Sequence, residues 1–242
     1  MGSKKNNLSI IIVCGGKGKR LRVITKNLPK PMVKIGRYTL IEQKIHYYKK
    51  NGISDLTFCL GYKSNILKKF LSKISKKFKF YENGTKPGIL KRIFLARKSI
   101  KGTTIISYGD TLAKINFKEL IKTHNKLKTL LTLVVSPIKN PFGLVNWNTK
   151  GQVTNFVEKP TLNHFIGYAV IEPDIFRVLP KKIVNLKDGE GFVKAIQYLI
   201  KKKMVNIYKF KGLQITINSP KELREAKVKF KKYFTLDENF KK

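Results

Sequence analysis

The sequence predicts an α/β fold in which helices flank a mixed, mainly parallel β-sheet. Two observations lead to this prediction. Short apolar runs that resemble strands alternate with segments whose apolar residues recur at helical spacing, which is the order expected for a parallel sheet with covered faces. The first apolar run, residues 8–14, is uninterrupted and rich in isoleucine, as expected for a strand that is buried on both faces.

The first half of the chain contains four predicted strands separated by predicted helices. Strands are expected over residues 8–14, 54–60, 77–81 and 103–107, and helices over residues 40–48, 65–72, 90–99 and 117–125. Asn51-Gly52 is a stop signal for the first of these helices, because glycine readily adopts the left-handed conformation that ends a helix.

The second half is richer in short β-like segments. They cover residues 129–135, 144–147, 152–156 and 165–171, and they predict a small β-rich extension that could form the wall of a pocket. A helix is expected over residues 190–202. Another begins at Ser219 and runs to about Tyr233, because Ser219-Pro-Lys-Glu222 combines a capping box with proline in the first turn.

Length and composition favour one cytoplasmic globular domain. The chain has 242 residues, of which 42% are apolar and 11% aromatic, so it can bury a core. No apolar run is long enough to span a membrane, and the first residues do not form a secretion signal. Cys14 and Cys59 lie in strand-like runs, where packing in the core is expected, and the three histidines lack the spacing of a zinc site.

The chain is strongly basic, with 52 Lys and Arg residues against 14 Asp and Glu residues and a net charge of +38. Such a field attracts triphosphates, nucleic acids and anionic lipids alike. The basic residues are spread along the chain, which favours a lysine-rich solvated surface, and we expect no dedicated nucleic-acid partner. A binder of nucleic acid or of an anionic surface is retained as an alternative.

The end of the first predicted strand carries three glycines within four residues, Gly15, Gly16 and Gly18. Because glycine lacks Cβ, the backbone N–H groups of such a loop can approach an anion closely. Neither common phosphate loop fits. Leu21 replaces the third glycine of the dinucleotide motif, and Arg20 stands where a Walker A loop has Ser or Thr.

A second basic segment follows the loop. Lys30 lies between Pro29 and Pro31, which restrict its backbone and suit a side chain that must be held at a fixed point. The sequence Gly-Gly-x-Gly-x-Arg-Leu at residues 15–21, followed by this Pro-Lys-Pro, resembles the signature of the sugar nucleotidyltransferases. These enzymes join a nucleoside triphosphate to a sugar 1-phosphate in the synthesis of polysaccharide precursors. The glucose-1-phosphate cytidylyltransferase branch is the most similar.

This resemblance implies a Rossmann-like sheet and assigns roles to residues of the loop. We assign nucleotide binding to one set of residues, of which Arg20, Lys30 and Asp110 are also expected to be catalytic: Cys14, Gly15, Gly16, Gly18, Arg20, Lys30, Gly88 and Asp110. Gly88 belongs to the segment that resembles the base-facing loop of cytidylyltransferases, although Pro87-Gly88 replaces its usual Gly-Gly. The resemblance divides the chain into a nucleotide-binding part at residues 8–135, a sugar-phosphate-binding part at residues 136–218 and a C-terminal helix at residues 219–234.

Asp110 follows the strand predicted over residues 103–107, so it should reach the same sheet edge as the glycine loop. Tyr108-Gly-Asp110 resembles the family's Gly-Asp motif, whose carboxylate holds Mg²⁺. Thr216 stands where the family usually has a second metal-binding Asp, and threonine cannot supply that charge. Three readings stay open: one carboxylate suffices, the second ligand lies elsewhere, or activity is weakened.

The sugar phosphate is assigned to Phe156-Val-Glu-Lys-Pro160, which resembles the family's Glu-Lys-Pro motif. The resemblance implies that Glu158 binds sugar hydroxyls and that Lys159 binds the sugar phosphate as a further catalytic residue. Gly167 matches the glycine where the backbone lies close to the sugar.

The expected partners are therefore a nucleoside triphosphate, with CTP as the first choice, and a sugar 1-phosphate. GTP or UTP, a non-sugar phosphorylated acceptor and a nucleotide-binding module without turnover are kept as alternatives, and a homo-oligomer is left open.

Overall fold

The computed structural model describes residues 8–233, apart from the side chains of residues 19, 22, 23 and 230–233. Within this part, the strands are β1 (Ser9–Cys14), β2 (Lys34–Ile35), β3 (Tyr38–Thr39), β4 (Asp55–Leu60), β5 (Lys79–Glu82), β6 (Thr104–Tyr108), β7 (Thr111–Ala113), β8 (Leu131–Lys139), β9 (Leu144–Trp147), β10 (Val153–Val157), β11 (Thr161–Ile171), β12 (Val205–Lys209) and β13 (Gln214–Thr216).

The helices of the described part vary from one to four turns. They are α1 (Arg22–Thr25), α2 (Leu40–Lys50), α3 (Ser64–Ile74), α4 (Ile89–Leu95), α5 (Phe117–Leu127), α6 (Ile175–Val178), α7 (Lys181–Val184), α8 (Gly191–Lys201) and α9 (Pro220–Tyr233). Single turns of 3₁₀ helix cover Lys19–Leu21, Lys30–Met32 and Arg97–Ser99. No helix among the described residues is long and apolar enough to cross a membrane.

Seven strands form the central sheet in the order β12-β8-β11-β6-β1-β4-β5. The strand β1 lies between β4 and β6 and is parallel to both, with Ser9 opposite Asp55 on one side and Thr104 on the other. Only β11 runs against its two neighbours, β6 and β8. The sheet is therefore mixed and mainly parallel, which confirms the predicted fold class.

Helices cover both faces of this sheet, and β1 is buried between them. Ile10 and Ile12 point into one apolar cluster, to which α2, α3 and α5 contribute, whereas Ile11 points into a second cluster formed with α4 and α8. These three side chains are at most 1% exposed. The prediction of a strand buried on both faces is confirmed.

The last helix begins as its capping box predicted. The N–H of Glu222 donates to Ser219 Oγ at 3.2 Å, and the N–H of Ser219 donates to Glu222 Oε2 at 3.1 Å. Thr39 and Glu42 form a second capping box at the start of α2. Each box satisfies backbone donors that the first helical turn would otherwise leave free.

One part of the structure projects from this framework. The ends of β8 and β11 run beyond the sheet and carry the hairpin of β9 and β10, and we call residues 136–165 the arm. Its strands β9 and β10 are exposed along their whole length. The predicted β-rich extension thus exists. The strands β2, β3, β7, β12 and β13 were not predicted.

Candidate active site

A cavity of about 660 Å³ opens at the carboxyl ends of β1 and β6. This is the edge at which parallel α/β sheets bind ligands. Most of the residues assigned to the nucleotide line it: Cys14, Gly15, Gly16, Gly18, Arg20, Lys30 and Asp110. The structure therefore brings together residues that are up to 96 positions apart in the sequence.

Two glycines of the loop are required by its geometry. A Cβ on Gly15 would lie 2.2 Å from Cζ of Arg92, so any side chain there would collide with a buried guanidinium. Gly18 has a φ of +61°, in the left-handed region that favours glycine. Its carbonyl accepts hydrogen bonds from the N–H of Leu21 at 2.9 Å and from Thr25 Oγ1 at 3.1 Å. Two donors from the residues that follow the loop therefore fix the carbonyl of Gly18.

Lys30 begins a single 3₁₀ turn after Pro29, and its side chain lies in the cavity. Its ammonium Nζ donates to Asp110 Oδ2 at 2.5 Å and to Asn218 Oδ1 at 2.8 Å. The Lys30 and Asp110 side chains are 13% and 26% exposed, so the ion pair is only partly screened by water. The proline-flanked lysine is thus fixed against two oxygen atoms at the cavity wall.

The turn between β6 and β7 positions Asp110. The N–H of Gly109 donates to the carbonyl of Val13 at 2.9 Å, and a Cβ on Gly109 would lie 2.8 Å from Cys14 Sγ. This turn therefore packs directly on the end of β1. Asp110 Oδ1 also accepts a hydrogen bond of 3.3 Å from Thr111 Oγ1.

A buried lysine supports the same turn from below. Lys44, on α2, is 1% exposed, and its Nζ donates to the Thr111 carbonyl at 2.5 Å, to Ser107 Oγ at 2.8 Å and to Tyr168 OH at 2.7 Å. The ammonium also lies 4.6 Å from the centre of the Tyr168 ring, within the range of a cation–π contact. Lys44 therefore satisfies its charge with neutral oxygens and aromatic rings beneath the site.

Thr216 does not line the cavity. It pairs with Thr111 across β13 and β7, and the two hydroxyl oxygens lie 3.2 Å apart. Asn218, two residues further on, reaches the cavity instead. Among the described residues, no group of three or more His, Cys, Asp and Glu could hold a metal. The oxygens of Asp110 and Asn218 converge on one cation, the Lys30 ammonium, and oxygen ligands of this kind suit Mg²⁺.

The two cysteines serve as buried packing residues, as expected. Both are free thiols, and Cys14 and Cys59 are 4% and 0% exposed. Burial raises the pKa of the Cys59 thiol to about 12 and raises the pKa of Cys14 as well. Both therefore remain protonated at neutral pH, so a thiolate nucleophile at the cavity floor is disfavoured.

The model of one protein family, described as "Nucleotidyl transferase", matches residues 9–218 of this chain. The chain belongs to the nucleotidyl transferase family. It is therefore a nucleotidyltransferase, and the resemblance identified from the glycine loop and the Pro-Lys-Pro segment is confirmed.

Individual relatives of this nucleotidyltransferase are distant but span most of its length. The "Probable glucose-1-phosphate cytidylyltransferase" of Bacillus subtilis is 26% identical over 245 residues, covering 90% of this chain and 94% of the relative. The "D-glycero-alpha-D-manno-heptose 1-phosphate guanylyltransferase" of Campylobacter jejuni is 28% identical over 220 residues, covering 89% and 96%. Longer relatives also exist, and the chain spans 53% of the "Bifunctional protein GlmU" of Methanocaldococcus jannaschii.

A solved structure supports the fold. The crystal structure of HddC from Yersinia pseudotuberculosis superposes with a TM-score of 0.71 at 23% identity, covering 92% of this chain and 99% of HddC. At this identity the likeness concerns the fold alone.

Several residues that line the cavity of the nucleotidyltransferase were given no site role from the sequence, among them Arg92, Asp188 and Asn218. Arg92 is 3% exposed and donates to the carbonyls of Leu60 at 2.8 Å and Gly84 at 2.7 Å. Its burial lowers the pKa of the guanidinium. A basic residue among the apolar positions of α4 was the available signal for Arg92. Asp188 and Asn218 lie in irregular segments that gave none.

The structure places the residues assigned to the base and the sugar phosphate outside the cavity lining. Glu158 and Lys159 lie in the arm, where their side chains are 59% and 68% exposed and 3.5 Å apart. Gly167 lies beside the cavity, because a Cβ there would be 3.0 Å from the ring of Tyr108. Gly88 packs against Asp188, whose Cα would lie 2.8 Å from an added Cβ. Their assigned roles stay predictions.

Proposed function

We propose that this nucleotidyltransferase transfers a cytidylyl group from CTP to a sugar 1-phosphate, giving a CDP-sugar and pyrophosphate. The observation that carries the proposal is the convergence of the glycine loop, Arg20, Lys30 and Asp110 on one cavity at the carboxyl edge of the sheet. This set combines backbone N–H donors, two cationic side chains and a carboxylate. Such a combination suits a triphosphate with its divalent cation.

The proposed reaction is a direct in-line displacement. A phosphate oxygen of the sugar 1-phosphate attacks the α-phosphorus, a new P–O bond forms, and the bond between the α-phosphorus and the oxygen bridging to the β-phosphorus breaks. The electron pair leaves with pyrophosphate, so no covalent enzyme intermediate is needed. The chain contributes by positioning its substrates and by offsetting negative charge.

In this reaction the glycine loop, Arg20, Lys30 and Asp110 each have a defined role. The N–H groups of the loop from Gly15 to Gly18 would bind the triphosphate, while Arg20 and Lys30 would offset charge on the leaving pyrophosphate and at the α-phosphorus. Asp110 would hold Mg²⁺, which supplies charge neutralisation between phosphate groups when bound. Because Lys30 now pairs with Asp110, substrate binding has to release this ammonium toward the phosphates.

The second substrate would lie between the cavity and the arm. Glu158 would bind its hydroxyls, Lys159 its phosphate, and the backbone at Gly167 would approach the sugar. Gly167 has a φ of +80° and lies against Tyr108, which itself lines the cavity. A ligand that reached Gly167 would thus be next to the triphosphate.

CTP is the first choice because the segment around Gly88 resembles a cytidylyltransferase loop and because the Bacillus subtilis relative is named a cytidylyltransferase. GTP is the second choice, since the similarly distant Campylobacter jejuni relative is named a guanylyltransferase.

The test is pyrophosphate release with CTP, GTP, UTP and ATP, each combined with glucose 1-phosphate, mannose 1-phosphate and a heptose 1-phosphate in the presence of Mg²⁺. Purified Asp110→Asn protein serves as the blank, because it reveals any contaminating activity. Release that is fastest with CTP supports the proposal, and release that is fastest with GTP supports the second choice. No release in any combination contradicts both.

A further inference from the structure

We propose that the arm docks on the surface of an anionic lipid membrane. The contact is made by one apolar face of the hairpin of β9 and β10, which we call the hairpin face and which consists of Val145, Trp147, Val153 and Phe156. The hairpin lies on the membrane at the boundary between headgroups and acyl chains, so the protein is held there as a peripheral partner. This proposal goes beyond the transfer reaction and does not depend on it.

The hairpin face is apolar along both strands. Antiparallel pairing places Trp147 opposite Val153 and Val145 opposite Phe156. Directly opposite residues share a face, as do residues two apart on one strand, so these four side chains form one surface. They are between 42% and 68% exposed. Contiguous exposed apolar surface of this kind marks a site of interaction with a protein or a membrane.

The charge of the chain favours an anionic partner. Its net charge is +38, and within the arm three lysines stand against one acidic residue, Glu158. The three lysines are exposed: Lys139, Lys150 and Lys159. Basic residues near a membrane are attracted to anionic headgroups, and the stem of a lysine can lie on apolar surface while its ammonium reaches a phosphate. An anionic membrane therefore complements both the apolar face and the charge beside it.

A second copy of the chain fits the charge poorly. Two arms packed face to face would bring their lysines together, in a complex of two chains that each carry +38. Like charges across a contact oppose association. The apolar surface could be covered in this way, but the electrostatic cost favours a partner of opposite sign.

A single-stranded nucleic acid fits the charge but not most of the side chains. Bases bind by stacking on aromatic rings. Of the nine large apolar residues that are exposed in the arm, three are aromatic and six are aliphatic: Ile138, Leu144, Val145, Val153, Val157 and Leu162. Aliphatic side chains gain little from bases, whereas they are stabilised at the acyl boundary of a membrane. The composition of the arm therefore favours lipid.

The hairpin should lie along the membrane surface and not cross the bilayer. Its turn is polar, with Asn148, Lys150 and Gln152. In the described part of the chain, β9 and β10 pair only with each other, so each strand has an open edge. The free N–H and C=O groups of such edges need water, which the hydrocarbon core does not supply. The hairpin face can reach the acyl boundary while the edges stay in the hydrated headgroup layer.

The test uses Trp147, which is the single tryptophan of the chain, so that intrinsic fluorescence reports on the hairpin face directly. The full-length protein is titrated with vesicles of phosphatidylcholine mixed with phosphatidylglycerol, and with vesicles of phosphatidylcholine alone. We expect a blue shift of the emission on the mixed vesicles and quenching when their acyl chains are brominated. The affinity should be at least about tenfold higher for the mixed vesicles, and high salt should lower it.

A double substitution that keeps Trp147 tests the hairpin face itself. Val153→Ser combined with Phe156→Ser should weaken binding to the mixed vesicles at least about tenfold, because it removes apolar surface from the contact. The matched control combines Val228→Ser with Ile200→Ser, since both side chains are exposed apolar residues on helices outside the arm. The control should bind as the wild-type protein does. Circular dichroism establishes that each variant is folded, and the quenching of Trp147 in the wild-type protein decides the question if the hairpin variant is not.

Four results would overturn the proposal. The first is an emission spectrum that neither shifts on the mixed vesicles nor is quenched by brominated chains. The second is equal affinity for neutral and mixed vesicles, or an equal loss in the two double variants. The third is a shift that depends on protein concentration without vesicles, because a second copy would then cover the hairpin face. The fourth is a shift on poly(U) RNA that excess mixed vesicles do not reverse, because nucleic acid would then be the preferred partner.

Discussion

The cavity edge and the arm present their candidate site residues on very different supports. At the cavity edge, Asp110 stands on a turn that packs against β1, whose isoleucines Ile10, Ile11 and Ile12 are at most 1% exposed. Lys30 is paired with Asp110. In the arm, Glu158 and Lys159 follow a hairpin in which each residue of β9 and β10 is exposed. The position of the first pair is therefore set by the core. The position of the second depends on two strands with no covering layer.

Many of the exposed side chains of the arm are large and apolar. Of the fifteen large apolar residues that are exposed in the described part of the chain, nine lie in the arm: Ile138, Phe142, Leu144, Val145, Trp147, Val153, Phe156, Val157 and Leu162. A two-stranded hairpin with no covered face has little independent stability. Substitutions should thus have large effects at the cavity edge and small ones in the arm.

The largest effect is expected for the ion pair of the cavity. Asp110→Asn or Lys30→Ala should lower kcat at least about 100-fold, equivalent to about 2.7 kcal/mol, because each removes charge placed opposite the phosphates. Steady-state pyrophosphate release measures this, with Lys26→Ala as control, since Lys26 is an exposed lysine near the glycine loop that does not line the cavity. Near-normal turnover in either variant would contradict the catalytic role assigned to the substituted residue.

A smaller effect is expected from the support beneath Asp110. Lys44→Ala should lower the free energy of unfolding by about 2 kcal/mol, because it leaves a void in the core. Lys44→Met should cost much less, since the remaining polar atoms keep partners: Tyr168 OH lies 3.2 Å from the Thr111 carbonyl, and Tyr48 OH lies 2.8 Å from Ser107 Oγ. Urea denaturation followed by circular dichroism provides both values. Equal losses would show that the charge of Lys44, rather than its volume, supports the turn.

The sequence predicts the strands and helices that have local signals, and it misses strands that depend on pairing in the folded chain. Strands with continuous apolar runs, such as β1 and β4, and the helix opened by Ser219-Pro-Lys-Glu222 were predicted because their signals are local. Val205–Lys209 was missed because a strand at the sheet edge shows only short alternation, and Gln214–Thr216 was missed because its three residues become a strand only by pairing with β7.

The residues of the candidate site also divide into those with a local sequence pattern and those placed only by contacts in the folded chain. The glycine loop and Lys30 were found because each carries its own pattern of glycine or proline. Arg92 and Asn218 could not be placed, because their positions depend on contacts with Gly15 and Lys30 that exist only in the folded chain. A local sequence pattern can identify a loop, but it cannot identify the residues that contact this loop from distant parts of the chain.

A tenfold effect is expected next to the β9–β10 hairpin of the arm. Lys159→Ala should lower kcat/KM for the sugar 1-phosphate about tenfold, close to 1.4 kcal/mol, while KM for the nucleotide is unchanged, because only the second substrate would contact Lys159. Lys150→Ala is the matched control, since Lys150 is an exposed lysine of the same arm. A rise in the nucleotide KM alone would indicate that Lys159 contacts the triphosphate, and it would contradict the assignment of Lys159 to the sugar phosphate.

The smallest effect is expected at the tip of the arm, and it tests the comparison directly. Val153→Ala removes two methyl groups from a side chain that is 65% exposed, whereas Ile12→Val removes one carbon from a side chain that is 0% exposed. Urea denaturation should show a loss of less than about 0.5 kcal/mol for Val153→Ala and of about 1 kcal/mol for Ile12→Val. The larger deletion should therefore cost less, because water already contacts Val153 in the folded state. The opposite order would mean that the arm is covered in solution, and sedimentation of the protein at several concentrations would then show whether a second copy covers it.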